Sequence, residues 1–137
     1  MKRVLFGLVL TIGLLFASCS KDQRAVKDIE GTWNATSYQI NGVETIGSGA
    51  SISMTFEVCK VKKENCPGSS TVAFGSLSET DQFTYKIYEK ATKLDIDMAD
   101  ATSDDITGAT ITEVTDSRFA FNWTDSDGDT YNVVLTK

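Results

Sequence analysis

From residue 31 onward the chain alternates apolar and polar residues with a period of two, the pattern of strands that bury one face. Ile52, Met54, Phe56 and Val58 alternate with Ser51, Ser53, Thr55 and Glu57. Phe83, Tyr85 and Ile87 alternate with Thr84 and Lys86, and Leu94, Ile96 and Met98 with Asp95 and Asp97. Near the end, Phe119, Phe121 and Trp123 alternate with Ala120 and Asn122, and Tyr131, Val133 and Leu135 with Asn132 and Val134. Residues 31–40, 71–77 and 109–115 give weaker strand signals. Asn41-Gly42, Pro67-Gly68, Ala91-Thr92, Asp116-Ser117 and Asp127-Gly128 read as turns, with Pro67 in a loop. About eight strands with short connections pair each with its sequence neighbour, and closing such a sheet removes its two edges. The expected fold is all-β, an up-and-down antiparallel barrel; a two-sheet sandwich is the competing arrangement.

The first 30 residues read differently. Met1-Lys2-Arg3 is a short cationic start, and residues 4–17 are apolar and uncharged. That run suits a signal peptide and falls short of the roughly 20 residues that cross a bilayer as a helix. Cleavage by an ordinary secretory peptidase before Cys19 would place the bulky Phe16 where a small residue is preferred. Phe16-Ala17-Ser18-Cys19 resembles the lipobox of bacterial lipoproteins, with Phe16 where that motif usually carries Leu. The resemblance implies cleavage after Ser18, a lipid on the sulfur of Cys19, and a membrane held as partner through that anchor. Ser20 after the cysteine, where Asp would mark inner-membrane retention, implies the outer membrane. Residues 20–30 are charged and show no apolar periodicity. The expected organisation is thus a signal peptide at 1–18, a lipid-anchored tether at 19–30 and a barrel domain at 31–137.

The length of 137 residues allows one domain. All 19 acidic residues follow Cys19, whereas two of the 13 basic ones, Lys2 and Arg3, leave with the signal. The remaining chain carries a net charge of −8 and would repel nucleic-acid phosphates, so nucleic acid is not an expected partner. The chain has no histidine, which excludes Ser-His-Asp and Cys-His catalysis and imidazole metal sites. Carboxylate and lysine chemistries survive that exclusion, yet no nucleophile–base pair is visible. The expectation is a non-enzyme with no cofactor.

Residues 31–42, GTWNATSYQING, resemble the opening of the lipocalin-like domain of small bacterial lipoproteins, with Gly31 and Trp33 matching a Gly-x-Trp at the start of the first barrel strand. The hairpin over residues 119–135 is similar to that family's last two strands. The sequence is shorter than a full lipocalin and stops at its last strand, without that family's C-terminal helix. The resemblance implies that Trp33 plugs one end of the barrel and that a small apolar ligand binds in the barrel mouth. A module that binds or inhibits another envelope protein is the second reading.

Cys59 and Cys66, in a C-x6-C spacing, read as a disulfide in an oxidising envelope, with a redox pair as the alternative. Asp125-Ser126-Asp127-Gly128-Asp129 places three carboxylates on alternating positions. It reads as an Asp-Gly turn against a calcium loop, because the place of a bidentate glutamate is taken by Thr136. Asp95, Asp97, Asp100, Asp104 and Asp105 read as a solvated face against a paired-carboxylate site. Lys60, Lys62 and Lys63 solvate the disulfide loop or offer an anion contact. Phe56, Phe74, Phe83, Phe121 and Trp123 fall on apolar faces and point inward, where they fill the barrel or line a ligand cavity.

Overall fold

The computed structural model describes residues 20–137. The signal-peptide segment and Cys19 lie outside the described residues. A short helix, α1 (Lys21–Asp28), precedes β1 (Gly31–Ile40), β2 (Val43–Glu44), β3 (Ala50–Phe56), β4 (Cys66–Phe74) and β5 (Leu77–Tyr88). Then follow β6 (Lys93–Met98), β7 (Ile106–Val114), β8 (Arg118–Thr124) and β9 (Thr130–Thr136). All pairings are antiparallel, and β1 pairs with both β3 and β9. Eight strands thus close into an up-and-down barrel, and the two-residue β2 folds back on the end of β1. The period-two pattern is the cause: each strand offers one apolar face, and closure turns all of them onto one axis.

In β1 the alternation is broken. Its register against β9 shifts between Ala35 and Ser37. The extra residue at Thr36 moves the inward face from Trp33 and Ala35 to Tyr38 and Ile40.

The two ends of the barrel differ. One is closed by α1, by the β3–β4 loop with the Cys59–Cys66 disulfide (Cα–Cα 5.1 Å), and by the β5–β6 and β7–β8 turns. The other, the mouth, is ringed by the β1–β3, β4–β5, β6–β7 and β8–β9 connections.

Residues 20–30, expected as a tether, form α1 and its exit instead. Ser20 Oγ accepts from the Gln23 N–H at 3.2 Å, an N-cap, and Ala25, Val26 and Ile29 are buried in the core. Three apolar positions among charges make one narrow stripe, too short for periodicity to register. Side chains fasten the helix down. Gln23 donates to the Cys59 carbonyl at 2.7 Å and accepts from the Val61 N–H at 3.2 Å. Asp22 accepts from the Ala91 N–H at 2.6 Å. That last bond meets a strained turn, in which Glu89, Lys90 and Ala91 hold φ of 52°, 59° and 66°. Each left-handed non-glycine residue costs roughly 1–2 kcal/mol, so α1 steadies a turn that resists its own shape.

Two further expectations are corrected. Pro67 and Gly68 lie in β4 and not in a turn, with Pro67 opposite Thr84 and its carbonyl accepting from the Glu57 N–H at 3.0 Å. As the second residue of the strand, Pro67 lies past the last register pair with β3, Phe56 with Gly68, so its missing N–H breaks little of the ladder. The strand expected over 71–77 ends at Phe74, and Leu77 begins β5 after a two-residue turn.

Candidate functional site

The closed half of the barrel is filled by aromatic rings. Phe56 packs edge-on against Phe83, Tyr85 and Phe119 at centroid distances of 5.6, 5.1 and 5.6 Å. Trp33 is fully buried, meets Phe119 at 6.1 Å, and donates from Nε1 to the Ile29 carbonyl at 2.7 Å. Lys137 Nζ sits 4.3 Å from its ring centroid on the outer side. Trp33 therefore stands at the seam between α1 and the barrel floor.

Of the five aromatics expected to fill the barrel or line a ligand cavity, Phe56, Phe83 and Phe121 fill this core. Phe74, expected to point inward, is 66% exposed at the β4–β5 tip, because β4 there has run past the barrel wall. Of the five, only Trp123 lines the space at the mouth of the barrel.

That space is a cleft of about 760 Å³ at the mouth. Trp123 and Tyr131 stack across β8 and β9, 4.6 Å apart and 5° from parallel. Tyr38 meets both edge-on, at 6.5 and 6.4 Å, and Ile40 and Ile106 complete the apolar wall. Offset and edge-to-face rings at these separations are mutually favourable and leave broad apolar faces for a guest. Sequence reasoning missed Tyr38 and Ile40, whose inward parity appears only after the Thr36 bulge. Tyr131 stood on an apolar face in the sequence, but its place in the cleft depends on the pairing with Trp123. A smaller cleft of about 370 Å³ lies between α1 and β7.

Asp125 organises one wall of the mouth. Its Oδ1 accepts from the N–H groups of Asp127 and Asp129, both at 2.9 Å, and its Oδ2 from the Tyr131 hydroxyl at 3.0 Å. Both oxygens are thus engaged in holding a turn. Partial burial pushes the Asp125 carboxyl upward, but the bonds from Asp129, Tyr131, Asp127 and Gly128 together outweigh it and leave its pKa lowered. Tyr131 is pushed up to about 12, first by the bond to Asp125 and then by desolvation.

All four tyrosines share that direction: burial raises Tyr38, Tyr85 and Tyr88, with the charges of Glu30 and Glu57 adding at Tyr85 and the Asp95 bond at Tyr88. A phenol pKa raised in the folded state gives stability that is present below the unfolded value of about 10 and lost as pH rises through the folded value. Tyrosinate absorbance of the native protein should therefore be well below half its full value at pH 10, and stability should fall as pH rises from 10 to 12. Half-ionisation at pH 10 without unfolding would contradict these environments.

Charge divides sharply between the two ends. All 11 basic residues of the described chain lie on α1, in closed-end connections, or in the closed-end half of a strand. They are Lys21, Arg24, Lys27, Lys60, Lys62, Lys63, Lys86, Lys90, Lys93, Arg118 and Lys137. The mouth half holds ten of the 19 carboxylates: Glu44, Glu79, Asp81, Asp97, Asp100, Asp104, Asp105, Asp125, Asp127 and Asp129. The mouth therefore carries −10 and the closed end +2, so the basic loop residues Lys60, Lys62 and Lys63 are part of a wider segregation. The sequence matches no protein-family model, and no curated protein matches it.

Proposed function

We propose that this protein is a cell-envelope lipoprotein, anchored in the outer membrane through Cys19, whose lipocalin-like barrel binds a small apolar molecule at its mouth without catalysing a reaction. The observation that carries the reading is the Trp123–Tyr131–Tyr38 wall of a cleft set above a filled barrel. Pockets that hold small ligands are concave and largely preformed, with apolar walls and a few placed polar groups. Here the aromatic wall supplies the apolar contact, and Asp104, Asp105, Asp125 and Asp127 give the cleft a polar remainder. The ligand is expected in the mouth and not deep in the barrel, because Phe56, Phe83, Phe119 and Phe121 occupy the axis. The exposed Val72, Phe74 and Leu77 favour a second reading, an interaction module for another protein.

The test uses a neutral fluorescent probe, N-phenyl-1-naphthylamine, since an anionic dye would be repelled by the mouth. A form beginning at Ser20 should take up one equivalent saturably, with a change in Trp fluorescence. Trp123→Ala should weaken uptake at least 10-fold, about 1.4 kcal/mol, while Phe74→Ala leaves it unchanged. Absence of saturable uptake would end the small-ligand reading. For the anchor, cells fed a labelled fatty acid should label the full chain, and Cys19→Ala should abolish the label.

A further inference from the structure

Strands β3, β4 and β5 run beyond the barrel. β6 pairs only with residues 83–88 of β5, and β1 pairs with β3 only from Ser53 onward. The ends of these three strands therefore form a projection at the mouth whose neighbours are one another. Along it the inward parity continues. Ile52 pairs with Val72, and Phe74 with Leu77, in line with Met54, Gly68 and Phe83 inside the barrel. No wall faces them there, so Val72, Phe74 and Leu77 are 47%, 66% and 75% exposed.

The outer edge of this projection is open. In an antiparallel ladder successive residues aim their N–H and C=O groups to alternate sides. Gln82 already gives its carbonyl to the Ala99 N–H on the β6 side. Ser78 and Thr80 therefore aim theirs the same way, where β6 no longer runs, and among the described residues no hydrogen bond reaches them. Proteins usually guard such an edge with lysine, proline or a bulge. Residues 77–81, LSETD, carry none of these; their guard is the pair of inward-facing carboxylates Glu79 and Asp81, which repels an acidic strand and leaves the edge open to a basic one.

We propose that the free edge of β5 at Ser78–Thr80 takes an extended segment of a partner protein, one that alternates apolar and basic residues. The recognition follows from three features. Four unpaired backbone groups, the N–H and C=O of Ser78 and of Thr80, specify a strand. The period of two places every second partner side chain on the inner face, where Glu79 and Asp81 ask for cations whose apolar stems can lie along Leu77 and Phe74. The alternate apolar residues, β-branched best, favour the extended conformation. The surrounding half-molecule carries ten carboxylates and no basic residue, a field that draws in cations and repels anions. A second copy fits poorly, since self-pairing centred on this stretch sets Glu79 against its own counterpart and brings two ends of −10 together. The proposal uses a surface apart from the Trp123 cleft, so either can fail alone.

The test uses the full chain in phosphatidylcholine nanodiscs and two labelled decapeptides, one alternating valine with lysine and one alternating valine with glutamate. The lysine peptide should bind saturably, and the glutamate peptide should not. On binding, the amide protons of Ser78 and Thr80 should slow in hydrogen exchange by 10-fold or more. Thr80→Pro removes one edge donor and should lower affinity at least 10-fold, with uptake of N-phenyl-1-naphthylamine in the cleft unchanged. Leu77→Lys, at a side chain already in solvent and on the face of Glu79 and Asp81, provides the same loss by charge repulsion if the proline variant fails to fold. Equal binding of both peptides, or lysine-peptide binding that leaves Ser78 and Thr80 unprotected, overturns the proposal. So does a concentration-dependent dimer that Thr80→Pro abolishes, because the edge would then serve a second copy.

Discussion

Gly68→Ala should destabilise the barrel by about 3 kcal/mol, the upper range for overpacking a core by one carbon. Gly68 lies on the inward face of β4, between Phe56 of β3 and Phe83 of β5. A Cβ there would land on the ring of Phe83 and 2.7 Å from the Thr55 carbonyl oxygen. The ring has nowhere to retreat, because Phe56 and Tyr85 pack against it at 5.6 and 6.3 Å. The carbonyl belongs to a paired strand, and the disulfide two residues before Gly68 limits how far β4 can shift. Urea unfolding followed by circular dichroism measures the loss. A cost below about 1 kcal/mol would mean that Phe83 does not cover Gly68 in solution.

Val26→Asp should be of similar size. Val26 and Ile29 are fully buried, and burying an aliphatic side chain of this kind contributes about 1.5–3 kcal/mol. A carboxylate at position 26 has no partner and would be expelled into water, taking α1 off the barrel. The cost is then the docking of both side chains, about 3–6 kcal/mol. The same event would wet Trp33, whose indole N–H loses its acceptor at Ile29, so a red shift in Trp emission should accompany the loss. Because the new carboxyl would be held back from ionising in the docked state, part of the stability should return as pH falls toward about 4, its unfolded pKa, with no further gain below it. A variant as stable as the parent would restore the tether expected from the sequence.

The barrel was legible because alternation reports directly on which side chains share a face, and five of its strands alternate without interruption. What alternation leaves open is whether anything covers that face. Ile52, Val72, Phe74 and Leu77 keep the parity of the core, yet the flanking strands end short of them, β6 pairing with β5 as far as Met98 and β1 with β3 as far as Ser53. Phe74 therefore read as a cavity residue and stands in solvent. Trp123 was found because β8 is regular up to the mouth, whereas Tyr38 was hidden by the single extra residue at Thr36. The helix escaped notice for a different reason. Its stripe is only Ala25, Val26 and Ile29, and its docking bonds from Asp22 and Gln23 come from polar residues that resemble those of any linker. The segregation of charge was present in the sequence as well, but loops far apart in the chain had to be gathered at one end before it could be seen.

The absence of slack at the start of α1 has a mechanical consequence. Ser20 is already the cap of a helix docked into the core, so only about 3.8 Å of chain, one Cα–Cα step, separates it from residue 19. On the proposed anchor at Cys19, the barrel would not swing on a leash. Its closed end, at +2, would rest against the headgroups. Its mouth, at −10, would stand off the bilayer by the length of the barrel and face the aqueous compartment. Any pull on the lipid would then load Val26 and Ile29 directly, making the floor of the barrel the part that yields first.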